Sequence, residues 1–188
     1  MKIIGIMAVD PKGVIGINNG LPWHYPSELD HFRQVTDKQV IVMGRKTFET
    51  IPQNILKPIV FSRNKLSPCF NKGIECTIVS SMQEFLSIQG NWSYPQIFMI
   101  GGAQIAHLFL KYDLISEFII TEIHRLYKGD VYFNLTLLDG WYKTALAKTT
   151  DYTICRLTRD KDGRKNCEAI KSLNCKLCQL KQQVRGLL

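Results

Sequence analysis

Apolar residues along the first 158 positions gather in short, dense runs separated by polar, turn-rich stretches. Lys2–Val9 is almost continuously hydrophobic, the pattern of a strand buried on both faces. Pro11-Lys12-Gly13 reads as a turn, and Ile17-Asn18-Asn19-Gly20-Leu21-Pro22 as a loop built of turn formers. Leu29, Phe32 and Val35 recur at helical spacing behind Pro26, which suits a first helical turn, and together they predict a helix over 26–35. Strands are predicted at 39–43, 58–62, 77–79, 96–100 and 118–123. Between them lie helical stretches at 44–51, from Ser81 and at 103–110, with Ser81 and Glu84 spaced as a capping box. Trp141–Lys148 and Tyr152–Thr158 alternate weakly and predict late antiparallel strands. The fold class is therefore α/β: a mostly parallel central sheet with helices on both faces and an antiparallel C-terminal edge strand.

Composition narrows the class without naming a function. The chain has 188 residues, 45% hydrophobic and 21% charged, which excludes disordered, collagen-like and membrane-spanning classes. The N-terminal apolar run carries no small-residue cleavage site, and no run approaches the ~20 residues of a membrane helix. Six cysteines, with Cys69, Cys76 and Cys155 scattered and Cys167, Cys175 and Cys178 crowding the tail, make no disulfide framework in a chain this long, so a cytoplasmic setting with reduced thiols is expected. The net charge of +8 is uneven: residues 161–188 hold seven basic and two acidic side chains and so contribute +5 of it.

A polar linker near Arg159 divides an expected domain, 1–160, from this basic, Cys-containing extension, 161–188. In the extension Ile170, Leu173, Leu177, Leu180 and Val184 predict an amphipathic helix. Packing on the body or on a second subunit is the expected use of that stripe; neither nucleic acid nor membrane is an expected partner. A monomer is expected, with a dimer through this helix as the alternative. Cys167, Cys175 and Cys178 are irregularly spaced with no histidine nearby, so no metal site is expected. His107 and His124 are expected at the surface or at an edge.

Candidate chemistry begins with Glu28. Helical spacing sets it on one face with Phe32, beside Leu29, and the preceding loop supplies Leu21 and Trp23. Two readings stand: a solvated first-turn carboxylate favoured by the helix dipole, or a carboxylate in an apolar pocket, with a raised pKa, that holds a ligand. Met43-Gly44-Arg45-Lys46-Thr47 and Ile100-Gly101-Gly102-Ala103-Gln104 each end a strand and open a helix, where free N–H groups attract phosphate. Ser62-Arg63-Asn64 closes a third strand with a cationic fork. Three such strand ends point to one crevice at the carboxyl edge of a parallel sheet and to a dinucleotide, in its 2′-phosphorylated form because Arg45, Lys46 and Arg63 are at hand.

These residues also carry a resemblance. Ala8-Val9-Asp10, Val14-Ile15-Gly16, Leu21-Pro22-Trp23, Glu28-Leu29 and Phe32 come first, then Met43-Gly44-Arg45-Lys46-Thr47-Phe48-Glu49. Phe61-Ser62-Arg63, Ile100-Gly101-Gly102 and Gly129-Asp130-Val131-Tyr132-Phe133 follow. In that order, over about residues 1–160, they resemble the dihydrofolate reductase family. The resemblance implies reduction of 7,8-dihydrofolate to 5,6,7,8-tetrahydrofolate by NADPH, with hydride transfer to C6 and protonation of N5. It implies that Glu28 binds the pterin N3 and 2-amino group, that Thr121 bonds this carboxylate, and that Trp23 helps hold a water. Leu21 ends the Gly16–Leu21 loop, which would gate and admit the proton-donating water. Ile6 and Ile100 would offer carbonyls to the pterin, with Met7, Leu29, Phe32, Ile51 and Ile55 lining its slot. Ala8 and Ile15 would touch the nicotinamide, with Gly16, Asn19 and Gly20 also among the cofactor contacts. Gly44, Arg45, Lys46, Thr47, Ser62 and Arg63 would grip the adenosine-side phosphates, and Gly101, Gly102, Ala103, Gln104 and Ile105 the pyrophosphate, across a cis Gly101–Gly102 bond.

The chain departs from the family pattern at Asn54-Ile55-Leu56-Lys57-Pro58, which lacks the arginine that grips the folate glutamate tail; Lys57 or Arg33 would have to substitute. Ala106, Val131 and Asn134 stand where the family often has tyrosine, threonine and proline. The rival functions are a reductase of a tail-less dihydropterin and a non-catalytic module binding through its basic tail.

Overall fold

The computed structural model describes residues 2–51, 58–64, 75–89 and 94–159. Ile55, Lys57 and the extension 161–188 lie outside them. The elements run β1 (Lys2–Val9), β2 (Val14–Gly16), α1 (Pro26–Thr36), β3 (Val40–Gly44), α2 (Arg45–Thr50), β4 (Ile59–Phe61) and β5 (Thr77–Val79). They continue with α3 (Met82–Gln89), β6 (Gln96–Gly101), α4 (Ala103–Lys111), β7 (Glu117–Ile123) and β8 (Val131–Tyr132). A 3-10 turn (Leu135–Leu138), β9 (Tyr142–Lys148) and β10 (Tyr152–Thr158) complete the order.

Eight strands form one sheet in the order β5-β4-β3-β6-β1-β7-β10-β9. Pairings from β5 across to β7 are parallel, whereas β10 runs antiparallel to both β7 and β9. Both late strands form as the alternation predicts; the antiparallel one sits one place in from the edge, and β9 is the edge. β2 and β8 make a separate two-stranded ribbon that no periodicity announces, because three and two residues are too few to show one.

β1 lies between β6 and β7, which is why it reads as one apolar run. Its side chains alternate: Ile4, Ile6 and Ala8 pack with Phe32 and Val35 of α1, while Ile3, Met7 and Val9 join Phe85 of α3 and Phe109 of α4 on the other face. Phe48 of α2 packs on Ile41, Met43 and Val60. Phe48, Phe85 and Phe109 are all 0% exposed, and each such burial stabilises the fold by about 1.5–3 kcal/mol. Gly5 is required at the sheet's centre, since a Cβ there would meet the Phe118 ring at 2.7 Å.

The capping box at α3 forms in a shifted version. The Glu84 N–H donates to Ser81 Oγ at 3.2 Å, but its carboxylate accepts from Ser80 N and Oγ, each at 2.7 Å, one residue earlier than the motif implies. The uniformly reduced thiols expected from the sequence do not hold: Cys155 is a buried free thiol, but Cys76 is disulfide-bonded. Among the described residues, no helix is long and apolar enough to cross a membrane.

Candidate active site

Parallel pairing brings the carboxyl ends of β1, β3, β4, β6 and β7 to one edge of the sheet, and α1 crosses the face beside it. Pro26 opens α1, and Glu28 occupies its first turn, where the dipole favours a carboxylate. The solvated reading of this residue fails, because Glu28 is only 7% exposed. Burial pushes its pKa above the ordinary carboxylate range, and a hydrogen bond with the Thr121 side chain pulls part of the way back. Thr121 reaches it because β7 alternates: Ile119, Thr121 and Ile123 share the face that α1 covers. Ile6, Ala8, Trp23, Phe32 and Ile100 belong to the same apolar cluster, and Ile100 extends it to Ile51 and Phe48 beside α2. Leu29 is half-buried on α1. Trp23 is buried, with no hydrogen-bond partner for its indole Nε1. One expected wall residue stands elsewhere: Met7 packs on the opposite face, its Cε 3.6 Å from where a Cβ on Gly101 would lie.

The phosphate-compatible strand ends are brought together as the sequence suggests. Gly44 ends β3 and precedes α2, and Gly102 follows β6 and precedes α4, both in extended backbone and without a side-chain cap. They are neighbours: a Cβ on Gly44 would meet Ile105 at 3.1 Å, and one on Gly102 would meet Thr47 Oγ1 at 3.5 Å. The Gly101–Gly102 bond is cis, and Gly101 has φ +111°, a region that favours glycine. The amino end of α4, at Ala103 and Gln104, is thus an uncapped helix terminus open to an anion. Farther out, Arg45, Ser62, Arg63 and Asn64 line a cleft of about 280 Å³. A Ser62 turn shapes it: Ser62 Oγ donates to Asn64 O at 2.8 Å and accepts from Asn64 N at 3.2 Å, which leaves Arg63 exposed. Arg45 is held by Glu49 at 2.6 Å, and Lys46 is exposed. Two cationic forks beside an uncapped terminus fit a phosphorylated dinucleotide.

The Gly16–Leu21 loop is tied down more firmly than its composition suggests. Ile17 and Gly20 exchange backbone hydrogen bonds at 2.9 and 2.8 Å, with Asn18 and Asn19 at φ +49° and +63°. Asp130 fastens it from outside, taking the Asn18 N–H at 3.1 Å on its carboxylate while its own N–H donates to Gly16 O at 3.0 Å. Ile15 is half-buried, packed against the core on the α3 and α4 side, and Leu21 is half-exposed. Sequence reasoning gave Asp130 no role, nor Asp10, which is 1% exposed and accepts N–H bonds from Lys12, Val14 and Tyr127. An Asp-x-Lys-Gly turn directly after a buried strand was the available signal for Asp10. His124 is exposed, as expected, whereas His107 is half-buried and accepts the Asn134 N–H at 3.2 Å.

Comparison with known proteins accords with this geometry. A family model described as dihydrofolate reductase matches residues 2–173, well into the extension. The dihydrofolate reductase of Lactococcus lactis subsp. lactis is 36% identical over 156 residues, covering 79% of this chain and 88% of that protein. The dihydrofolate reductase of Bacillus subtilis is 38% identical over 131 residues, 68% of this chain and 73% of that one. Among solved structures, dihydrofolate reductase from Enterococcus faecalis complexed with NADP(H) and RAB-propyl shares the fold. It matches at a TM-score of 0.70 and 24% identity, covering 85% of this chain and 97% of its own. With the sheet order, the buried carboxylate and the glycine-lined strand ends in agreement with a match over nearly its whole length, this chain belongs to the dihydrofolate reductase family.

Proposed function

We propose that this chain reduces 7,8-dihydrofolate to 5,6,7,8-tetrahydrofolate at the expense of NADPH, the activity of its family. The observation that carries the reading is Glu28: a buried carboxylate in the first turn of α1, bonded to Thr121 on the face of the sheet that α1 covers. A pterin ring presents adjacent N–H donors that such a carboxylate accepts in pairs. Leu29, Phe32, Ile51 and Ile100 supply the apolar walls, and Ile6 a backbone carbonyl. When bound, NADPH supplies the hydride for C6 of the pterin. The amino end of α4 from Gly102 to Ile105 holds its pyrophosphate, while Arg45, Lys46, Thr47, Ser62 and Arg63 hold the adenosine-side phosphates. Ala8 and Ile15 border the nicotinamide. Glu28 keeps the ring oriented and raises the basicity around N5, and Trp23 Nε1 with the Gly16–Leu21 loop orders the water that delivers the proton.

The working unit is one chain, since every group named lies between residues 6 and 121 of it. The cytoplasm is the proposed compartment. A second reading, a tail-less dihydropterin as substrate, is favoured by one observation: Arg33 is spent on Asp30 at 2.9 Å, in an exposed pair on α1. The test is NADPH consumption with dihydrofolate beside a dihydropterin lacking the glutamate tail, in the wild type and in Glu28→Gln. Turnover of dihydrofolate that falls by about 10²-fold or more in Glu28→Gln, with NADPH affinity retained, supports the proposal. Preference for the tail-less compound selects the second reading. Silence with both, in a chain that binds NADPH, leaves a binding module.

A further inference from the structure

We propose that Tyr127, paired with Tyr25, is a positioning residue for Glu28 and Trp23, an assignment that rests on the reaction proposed above. Helix α1 begins at Tyr25 without a side-chain cap. The Tyr25 carbonyl accepts the N–H groups of Glu28 and Leu29, both at 3.1 Å. The place of Glu28 therefore depends on how Tyr25 itself is held.

Tyr25 is held from across the molecule. Its hydroxyl shares a 2.8 Å hydrogen bond with the hydroxyl of Tyr127, and its ring lies 5.9 Å from that of Tyr152. Ser27, two residues on, bonds the Tyr152 hydroxyl at 2.7 Å. Tyr127 also stands edge-on to Trp23, with centroids 5.4 Å apart and planes inclined at 65°. One side chain thus touches both residues that lead into α1, Trp23 with its ring and Tyr25 with its oxygen. Tyr127 is in turn anchored at the end of β1, where its N–H donates to the buried carboxylate of Asp10 at 2.9 Å.

Tyr25 adds no charge to the neighbourhood of Glu28. The bond to Tyr127, then burial, pushes its pKa up to about 12, so this phenol stays protonated across the working range. What the pair supplies is geometry, in place of the cap that α1 lacks.

Tyr127→Phe tests this, because it removes one oxygen and keeps the ring against Trp23. With dihydrofolate, kcat is expected to fall about five- to tenfold, the rate equivalent of one lost neutral hydrogen bond, with NADPH affinity within about twofold of the wild type. The pH midpoint of kcat is expected to move down, since a loosened first turn lets water reach a carboxylate whose pKa burial holds up. Tyr25→Phe should do the same, and the double variant no more than either single one, because the bond is already gone. A purely structural role predicts a lower Tm with kcat and its pH midpoint unchanged, and that result, or additive losses in the double variant, overturns the proposal. If Tyr127→Phe does not fold, Tyr25→Phe decides on the same readouts. A wild type that fails to turn over dihydrofolate refutes the function instead. In that case the Trp23 indole N–H resonance, assigned through Trp23→Phe in the ligand-free protein, decides the positioning: displaced in Tyr127→Phe it stands, unmoved it falls.

Discussion

Glu28, in the first turn of α1, and Thr121, on the same face of β7, are joined by a hydrogen bond across the apolar layer between helix and sheet. The bond favours the ionised carboxylate, while burial, the larger influence, favours the protonated one. Thr121→Val keeps the shape and deletes the bond, so burial acts unopposed and the Glu28 pKa rises further. The pH midpoint of kcat/KM for dihydrofolate should shift upward in this variant. A midpoint that stays put would mean the hydroxyl does not bear on the carboxylate's titration.

The same burial makes Glu28 a stability cost at neutral pH. Its folded pKa lies above the unfolded value, so between the two the native state binds more protons and stability falls as pH rises. Glu28→Gln removes the titration, and its Tm should exceed that of the wild type at pH 7. The advantage should vanish once pH drops below the ordinary carboxylate range near 4.5. Thermal melts at a series of pH values read this directly, and equal Tm values at pH 7 would contradict it.

Glu117 behaves in the opposite sense. Burial raises its pKa, but hydrogen bonds from Arg156 and Lys2 more than offset this, leaving it below the usual value. Lys2 Nζ lies 2.5 Å and Arg156 Nε 2.8 Å from the carboxylate, whose side chain is 9% exposed. Its contribution is full above the unfolded pKa and is lost as pH falls through the lower folded one. Glu117→Gln should cost about 1–3 kcal/mol at pH 7, less than a wholly buried pair because both cations are half in solvent. Denaturant titrations should show that difference closing as the pH falls below about 4.

Arg63→Ala should separate the two nicotinamide dinucleotides. If Arg63 grips the 2′-phosphate, its loss removes a charge-assisted hydrogen bond and weakens NADPH by about tenfold or more. NADH, which lacks that phosphate, should bind as before. Fluorescence titration with each cofactor checks this, and equal weakening of both would move Arg63 away from that contact.

The central strands were legible because a parallel strand covered on both faces is an unbroken apolar word, as Lys2–Val9 and Val40–Met43 are. Helices α1 and α4 showed through their spacing and through the Pro and Gly at their starts. β2 and β8 were hidden because a ribbon of five residues has no period to detect. For Glu28 the spacing left a solvated and a buried reading open, and only the packing of β7 under α1 chose between them. Nothing local could have revealed that Tyr25, Ser27, Tyr127 and Tyr152 meet, since each contact spans more than a hundred positions.

The sheet order also sets a timetable for synthesis. The first strand made, β1, has both its neighbours, β6 and β7, encoded about a hundred residues later, with Lys2 opposite Gln96 and Ile4 opposite Glu117. The clasp that closes on Lys2 waits longer still, for Arg156 in the last strand. A ribosome-bound chain therefore carries its most apolar segment unpaired through most of translation, so native pairing is a late and largely post-translational event. Any nascent chain stopped before β7 leaves the ribosome with one side of its central strand in reach of other proteins and of chaperones.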